Sequence, residues 1–158
     1  MKVTLREFPA IRVAYRRRVG AYQPEALHQL WNDFVGWCAG QGLLNPAERP
    51  LLGICQDNPD TTPPDICRYD VGVVVDESFV ARDGVDIQVL PGGQYACAVF
   101  TGTLDSFPAG WQWLCHDWMP ASGYRFAARP AFEYCGEEFY RDEESGALTC
   151  WLCVAVEH

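Results

Sequence analysis

Between residues 11 and 19, IRVAYRRRV, apolar side chains fall at Ile11, Val13, Tyr15 and Val19, the two-residue period of a strand with one buried face. From Pro24 the period changes. Leu27, Leu30, Trp31, Phe34 and Cys38 recur at helical spacing, proline suits a first helical position, and Gly40 and Gly42 end the run. PLLGIC (50–55) and VGVVV (71–75) predict two further strands. The same series then begins again. LPGGQYACAVFTGTL (90–104) opens as a strand, and FPAGWQWLCHDWMPASG (107–123) follows as a helix with Phe107, Trp111, Leu114, Cys115 and Trp118 on one stripe. PAFEYC (130–135) and CWLCVAVE (150–157) complete it as strands.

The two series align by landmark. Pro9 and Gly20 stand 82 positions before Pro91 and Gly102, Trp37 and Gly42 stand 81 before Trp118 and Gly123, and Arg49-Pro50 stands 80 before Arg129-Pro130. A lone helix on a few strands buries too little surface, so the two units are expected to share one core about a pseudo-twofold axis. The fold class read from this pattern is α+β. Two strand-helix-strand-strand repeats, about 3–76 and about 86–157, form a largely antiparallel sheet with two helices and a groove between the halves, all in one domain over 1–158. QDNPDTTPPDICRY (56–69) reads as a loop, DESFVARDGVD (76–86) as the connection between halves, and RDEESG (141–146) as an acidic turn.

Charge narrows the partners. Twelve Lys+Arg against 21 Asp+Glu give a net charge of −9, so direct nucleic-acid binding is not expected. Arg16, Arg17 and Arg18 lie on an alternating strand and make no continuous basic stripe. The N-terminus has charges every few residues and no apolar h-region, and no window has the length to span a membrane. A cytoplasmic location is the expectation. Without a secretory signal the eight cysteines read as small buried hydrophobes rather than a disulfide framework. Cys150 and Cys153 have CxxC spacing but face opposite sides of a strand, so no metal is expected there. Gly92-Gly93 precedes a strand rather than a helix, so it is a turn and not a phosphate cradle, and no cofactor is expected. His116 beside Cys115 diverges from it on a helix, so no nucleophilic dyad is expected.

One position breaks the apolar pattern. RPAFEYC carries Glu133 where its counterpart RPLLGIC carries Gly53. Alternation places Ala131, Glu133 and Cys135 on one face, with Phe132 and Tyr134 on the other. An unpartnered acid on that small apolar face has a raised pKa, the mark of a site candidate. Gly53 would leave one acid-floored pocket with room above it. The bland alternative pairs Glu133 with Arg129 or Arg125. Trp37, Trp111 and Trp118 belong to helical stripes and are expected to be structural. Tyr22, Tyr69, Trp113 and Trp151 are the candidate wall residues, flat surfaces suited to a planar or cationic ligand.

Taken together, VAYRRRVGAY (13–22), DNPDTTPPDICRYD (57–70), LPGGQYACAVFTG (90–102), PAFEYC and LCVAVE (152–157) resemble the GyrI-like domain family. That family includes the effector-binding domains of AraC-type and multidrug-sensing regulators. The loop and the Gly-Gly-Gln-Tyr stretch resemble the free-standing DNA gyrase inhibitors. The resemblance implies two strand-helix-strand-strand repeats and an aromatic pocket between them, holding a buried glutamate that aligns with Glu133. Tyr134 follows directly where many members have one residue between. It also implies a small hydrophobic or cationic ligand, and DNA gyrase as a partner. A stand-alone domain is expected, since the sequence opens on its first strand. The alternative implied by another branch is a hydrolase of reactive cyclopropane-bearing toxins, with Glu133 as general base.

Overall fold

The computed structural model describes residues 1–136, 140–141, 144–145 and 147–158. Its strands are β1 (Val3–Phe8), β2 (Ile11–Val19), β3 (Leu51–Cys55), β4 (Arg68–Val74), β5 (Asp86–Leu90), β6 (Gly93–Gly102), β7 (Arg125–Phe126), β8 (Ala131–Cys135), β9 (Tyr140–Arg141) and β10 (Leu148–Glu157). Helix α1 (Pro24–Gly40) follows β2. Helix α2 (Phe107–Gln112) continues through a wider π-helical turn (Trp113–Trp118) into α3 (Met119–Ser122). Residues 142, 143 and 146 of the acidic turn expected at 141–146 lie outside the described residues. No helix among the described residues is long and apolar enough to cross a membrane.

Eight of the strands run in the order β1-β6-β10-β8-β3-β4-β2-β5, with β7 and β9 attached to β10, and every pairing between them is antiparallel. The α+β class read from the sequence is the class observed. The order has a twofold character, with β3 and β8 at its centre, where Gly53 sits opposite Glu133. β1 pairs with a strand of the second half and β5 with a strand of the first.

This connectivity dictates the sheet's shape. β1 and β2 are six strand positions apart, roughly 29 Å in a flat sheet, yet Pro9-Ala10 between Phe8 and Ile11 can span only about 11 Å. The sheet must roll until its two ends approach. Pro91-Gly92 makes the same crossing from β5 to β6, and a Cβ at Gly92 would lie 2.6 Å from the Phe8 carbonyl oxygen and 2.8 Å from the Ala10 nitrogen. Inside the roll lies one apolar cluster, with Val13, Leu52, Ile54, Tyr95, Cys97, Phe132 and Cys153 buried. The other face of the sheet carries the helices over Leu51, Val71, Val73, Leu152 and Val154.

The second helix departs from the regular pattern read in the sequence. The Met119 N–H bonds to the Leu114 carbonyl, five residues back. Pro120 has no N–H, and its ring would strike the carbonyl of His116 in a regular α-turn; widening the helix just before it relieves that contact.

The inner face also holds Asp70, fully buried on β4. Arg17 Nε and Nη2 donate to its two oxygens at 2.8 and 3.0 Å, and the amides of Gln56 and Gln88 each donate at 2.9 Å. The three consecutive arginines thus separate by function: Arg17 neutralises Asp70, Arg16 lies over the Trp37 ring, and Arg18 donates to the Ala21 carbonyl. Arg17→Ala leaves a buried carboxylate without a charge partner. Because the arginine is about one-third exposed, the expected loss is about 2 kcal/mol rather than the larger cost of a sealed pair. Urea denaturation at pH 7 should show that loss, with partial recovery on adding Asp70→Asn. Simple addition of the two effects would show that the pair is not coupled.

Candidate functional site

The central strand pair sets the site. Across β10, Glu133 faces Leu152, which is fully buried; across β3 it faces Gly53. On the far side of β3, Tyr69 is offset from the position that pairs with Gly53. With no side chain at Gly53, the Tyr69 ring passes over β3 and its hydroxyl donates to Glu133 Oε1 at 2.6 Å. From above, Trp31 on α1 donates its Nε1–H to the same tyrosine oxygen at 2.7 Å. A Cβ at Gly53 would lie 2.1 Å from Tyr69 Oη, 2.7 Å from Glu133 Oε1 and 2.8 Å from Trp31 Cζ2. The space expected above Gly53 is therefore not open: it holds the tyrosine hydroxyl and the indole edge.

The hydrogen-bond directions are fixed by chemistry. An indole N–H only donates, so Tyr69 Oη accepts it and directs its own proton to Glu133. Desolvation by the surrounding apolar groups pushes the Glu133 pKa up from 4.5 to about 7, while the Tyr69 hydroxyl acts in the opposite sense by bonding the carboxylate. Burial, then the nearby Glu133 charge, push the Tyr69 phenol well above its ordinary value. Among the described residues, Tyr69 supplies the hydrogen bond to Glu133 and no Lys or Arg pairs with it. Arg129 instead donates to the Gln94 carbonyl and lies over the Tyr95 ring, and Arg125 pairs with Glu157.

Above this floor lies a cavity of about 1300 Å³. Leu27, Trp31 and Val35 of α1 form one wall, and Phe107, Trp111 and Cys115 of the second helix form another. The floor is Leu51, Cys55, Tyr69, Ala131, Glu133, Cys135, Cys150 and Val154. The loop 57–61 closes one end, where His116 Nε2 and Asp60 Oδ2 meet at 2.7 Å. Tyr22 donates its hydroxyl to the Arg68 carbonyl at the loop's base and packs edge-on to Tyr69, ring centres 5.9 Å apart. Arg68 in turn grips Asp57 with Nε and Nη2, each at 2.9 Å. Burial raises the Cys55 thiol well above its ordinary pKa and the Cys115 thiol to about 11, so neither is a ready nucleophile.

Of the residues singled out in the sequence, Glu133, Tyr69 and Tyr22 border this cavity. Trp113 and Trp151 do not. Trp113 packs against the helix-side core, because the π-helical turn shifts the stripe on which it was placed off the core. Trp151 faces the inner cluster, where the Arg6 guanidinium lies 4.4 Å from its ring centre. That face follows from strand alternation, since Cys150 and Leu152 take the helix side. Trp111, expected to be structural, is a wall residue. Trp31 is the participant the sequence reading missed: it was counted as one member of the α1 stripe, and periodicity carries no sign that its N–H meets Tyr69.

Residues 1–157 match the GyrI-like small molecule binding domain. YosT, an SPbeta prophage-derived protein of Bacillus subtilis (strain 168), is 38% identical over 111 residues, covering 70% of this chain and 73% of its own. The DNA gyrase inhibitor of Citrobacter koseri is 28% identical over 131 residues, covering 78% and 83%. Among solved structures, the EcmrR C-terminal domain superposes with a TM-score of 0.74 at 13% identity, over 99% of this chain and 97% of that one. SAV2435 bound to tetraphenylphosphonium gives 0.63 at 16%, over 98% and 94%. The chain belongs to the GyrI-like small-molecule-binding domain family.

Proposed function

We propose that the cavity takes a hydrophobic cation, with Glu133 reading its charge and Tyr22, Trp31, Tyr69 and Trp111 packing its apolar surface. The observation that carries this reading is a carboxylate that no Lys or Arg among the described residues pairs with, on the floor of a large aromatic-walled cavity. Such an acid lacks a counter-charge that a cation would supply, and flat rings offer it their electron-rich faces. Tetraphenylphosphonium bound to SAV2435, a structure of the same fold, supports the choice of ligand class. The reading is of a single cytosolic domain built from two repeats, about 3–76 and about 86–157.

Two other roles are compatible with the same fold. The relatives named DNA gyrase inhibitor support an interaction between the acidic surface of this protein and gyrase. Such binding would survive Glu133→Gln and weaken with salt. A glutamate with a pKa of about 7 also suits a general base, so turnover of a cyclopropane-bearing electrophile, absent in Glu133→Gln, would favour the hydrolase.

Titration of intrinsic tryptophan fluorescence with tetraphenylphosphonium should give affinity that Glu133→Gln lowers about tenfold, about 1.4 kcal/mol. Neutral triphenylphosphine oxide should bind both proteins alike. Wild-type affinity for the cation should rise with pH up to about 7 and level above it, and the variant should show no such dependence. Equal cation affinity in the two proteins would contradict the reading.

Stability carries the opposite sign. The folded carboxyl holds its proton to about pH 7, whereas an exposed glutamate loses it near 4.5, so ionisation opposes folding increasingly between those values and fully above 7. Glu133→Gln should therefore raise the Tm of the ligand-free protein at pH 8 and have little effect at pH 4.5. A variant equally shifted at both would remove the basis for a desolvated acid.

A further inference from the structure

Two pairs of cysteines face each other across β10. Cys153 pairs in register with Cys97 on β6. One position beyond the Trp151–Tyr134 pair, the antiparallel register brings Cys150 opposite Cys135 on β8, both on the helix face of the sheet. The pairs lie on opposite faces of the sheet. Cys97 and Cys153 are sealed in the inner cluster at 0% exposure, whereas Cys135 and Cys150 both border the cavity. A molecule in the cavity reaches the second pair without unfolding the sheet.

Two adjacent sulfurs with these surroundings select a particular chemistry. The contact with Cys135 and burial hold the Cys150 thiol well above its ordinary pKa, so that sulfur is protonated at neutral pH and slow towards simple alkylators. Soft donors side by side suit an element that bonds strongly to sulfur and takes two at once. Among the described residues no group of three or more His, Cys, Asp or Glu is arranged to hold a metal ion. That disfavours ions needing three or four protein donors. Trivalent arsenic carrying one organic group needs two sulfurs, because its remaining bond is already made to carbon. An aryl group on that arsenic would find apolar space beside Val154 and Trp111.

We propose that Cys135 and Cys150 form a dithiol site for monoarylarsenic(III) compounds. With phenylarsine oxide, each sulfur forms a bond to arsenic, the arsenic–oxygen bonds break, and the oxygen leaves as water carrying the two thiol protons. Arsenic stays trivalent throughout, so the step needs no oxidant or reductant. The site uses the cavity but not the charge of Glu133, and so stands or falls separately from the cation reading.

The test is to add one equivalent of phenylarsine oxide to the folded protein in excess glutathione, a monothiol competitor, and to follow the adduct by intact mass and peptide mapping. The expected result is one phenylarsenic group per wild-type chain, bridging the peptides that contain Cys135 and Cys150 and released by dithiothreitol. Cys150→Ser should lose the adduct, while Cys153→Ser and Glu133→Gln keep it. Mapping on the wild type decides the matter even if a serine variant folds poorly. Arsenic mapped to Cys55 and Cys115, which also border the cavity, or to Cys97 and Cys153, would overturn the proposal. So would an adduct that forms only in urea.

Discussion

The hydrogen bond from Tyr69 to Glu133, drawn across β3 through the place where Gly53 has no side chain, is the contact on which the rest of the site depends. It joins the two halves of the chain at their centre and sets the direction of every proton around the acid. Trp31 fixes the tyrosine oxygen from above, so the phenol has one place to send its hydrogen. The price of this arrangement is a carboxyl held among apolar groups with one donor, which is why its pKa rises to about 7 rather than falling as it would beside an arginine.

The rolled sheet makes that placement possible. The short crossings at Pro9-Ala10 and Pro91-Gly92 force the sheet to close around an inner cluster, which gives it a buried inner face and leaves the cavity to the helix side. Two acids in the sheet then have opposite fates. Asp70, on the inner face, is fully satisfied by Arg17, Gln56 and Gln88 and serves the fold. Glu133, on the helix face, has the Tyr69 hydroxyl as its partner among the described residues and borders the cavity. The difference lies in what surrounds each carboxylate, and both are glutamate or aspartate in otherwise apolar strands.

Much of this was legible in the chain itself. Alternation and helical spacing located β2, β3, β4, β8, β10 and α1, and the repeated landmarks predicted a shared core. The contrast of Glu133 with Gly53 pointed to the acid and to the face it occupies. β1 and β5 were less legible: β1 is largely exposed and carries Arg6 and Glu7 between its apolar positions, and β5 has only five residues, with Ile87, Val89 and Leu90 falling on both faces. The π-helical turn was hidden because its cause, Pro120, acts about two turns away from its effect on Trp113. Trp31 and Trp111 illustrate a further limit. A helical stripe shows which residues face the sheet, but where helix and sheet separate, the same stripe lines a cavity, and that separation is a property of the assembled fold. Trp151 was misplaced for a simpler reason: its indole suggested a wall, while strand alternation already assigned it to the inner face.

The most direct measurement is the titration of the Glu133 carboxyl itself, by carbon-detected NMR of protein labelled at the glutamate side-chain carbon and assigned with Glu133→Gln. The account predicts a midpoint near 7 in the ligand-free protein. A midpoint near 4.5 would mean that the carboxylate is well solvated or paired, and would contradict the claim that an unneutralised acid forms the floor of the cavity.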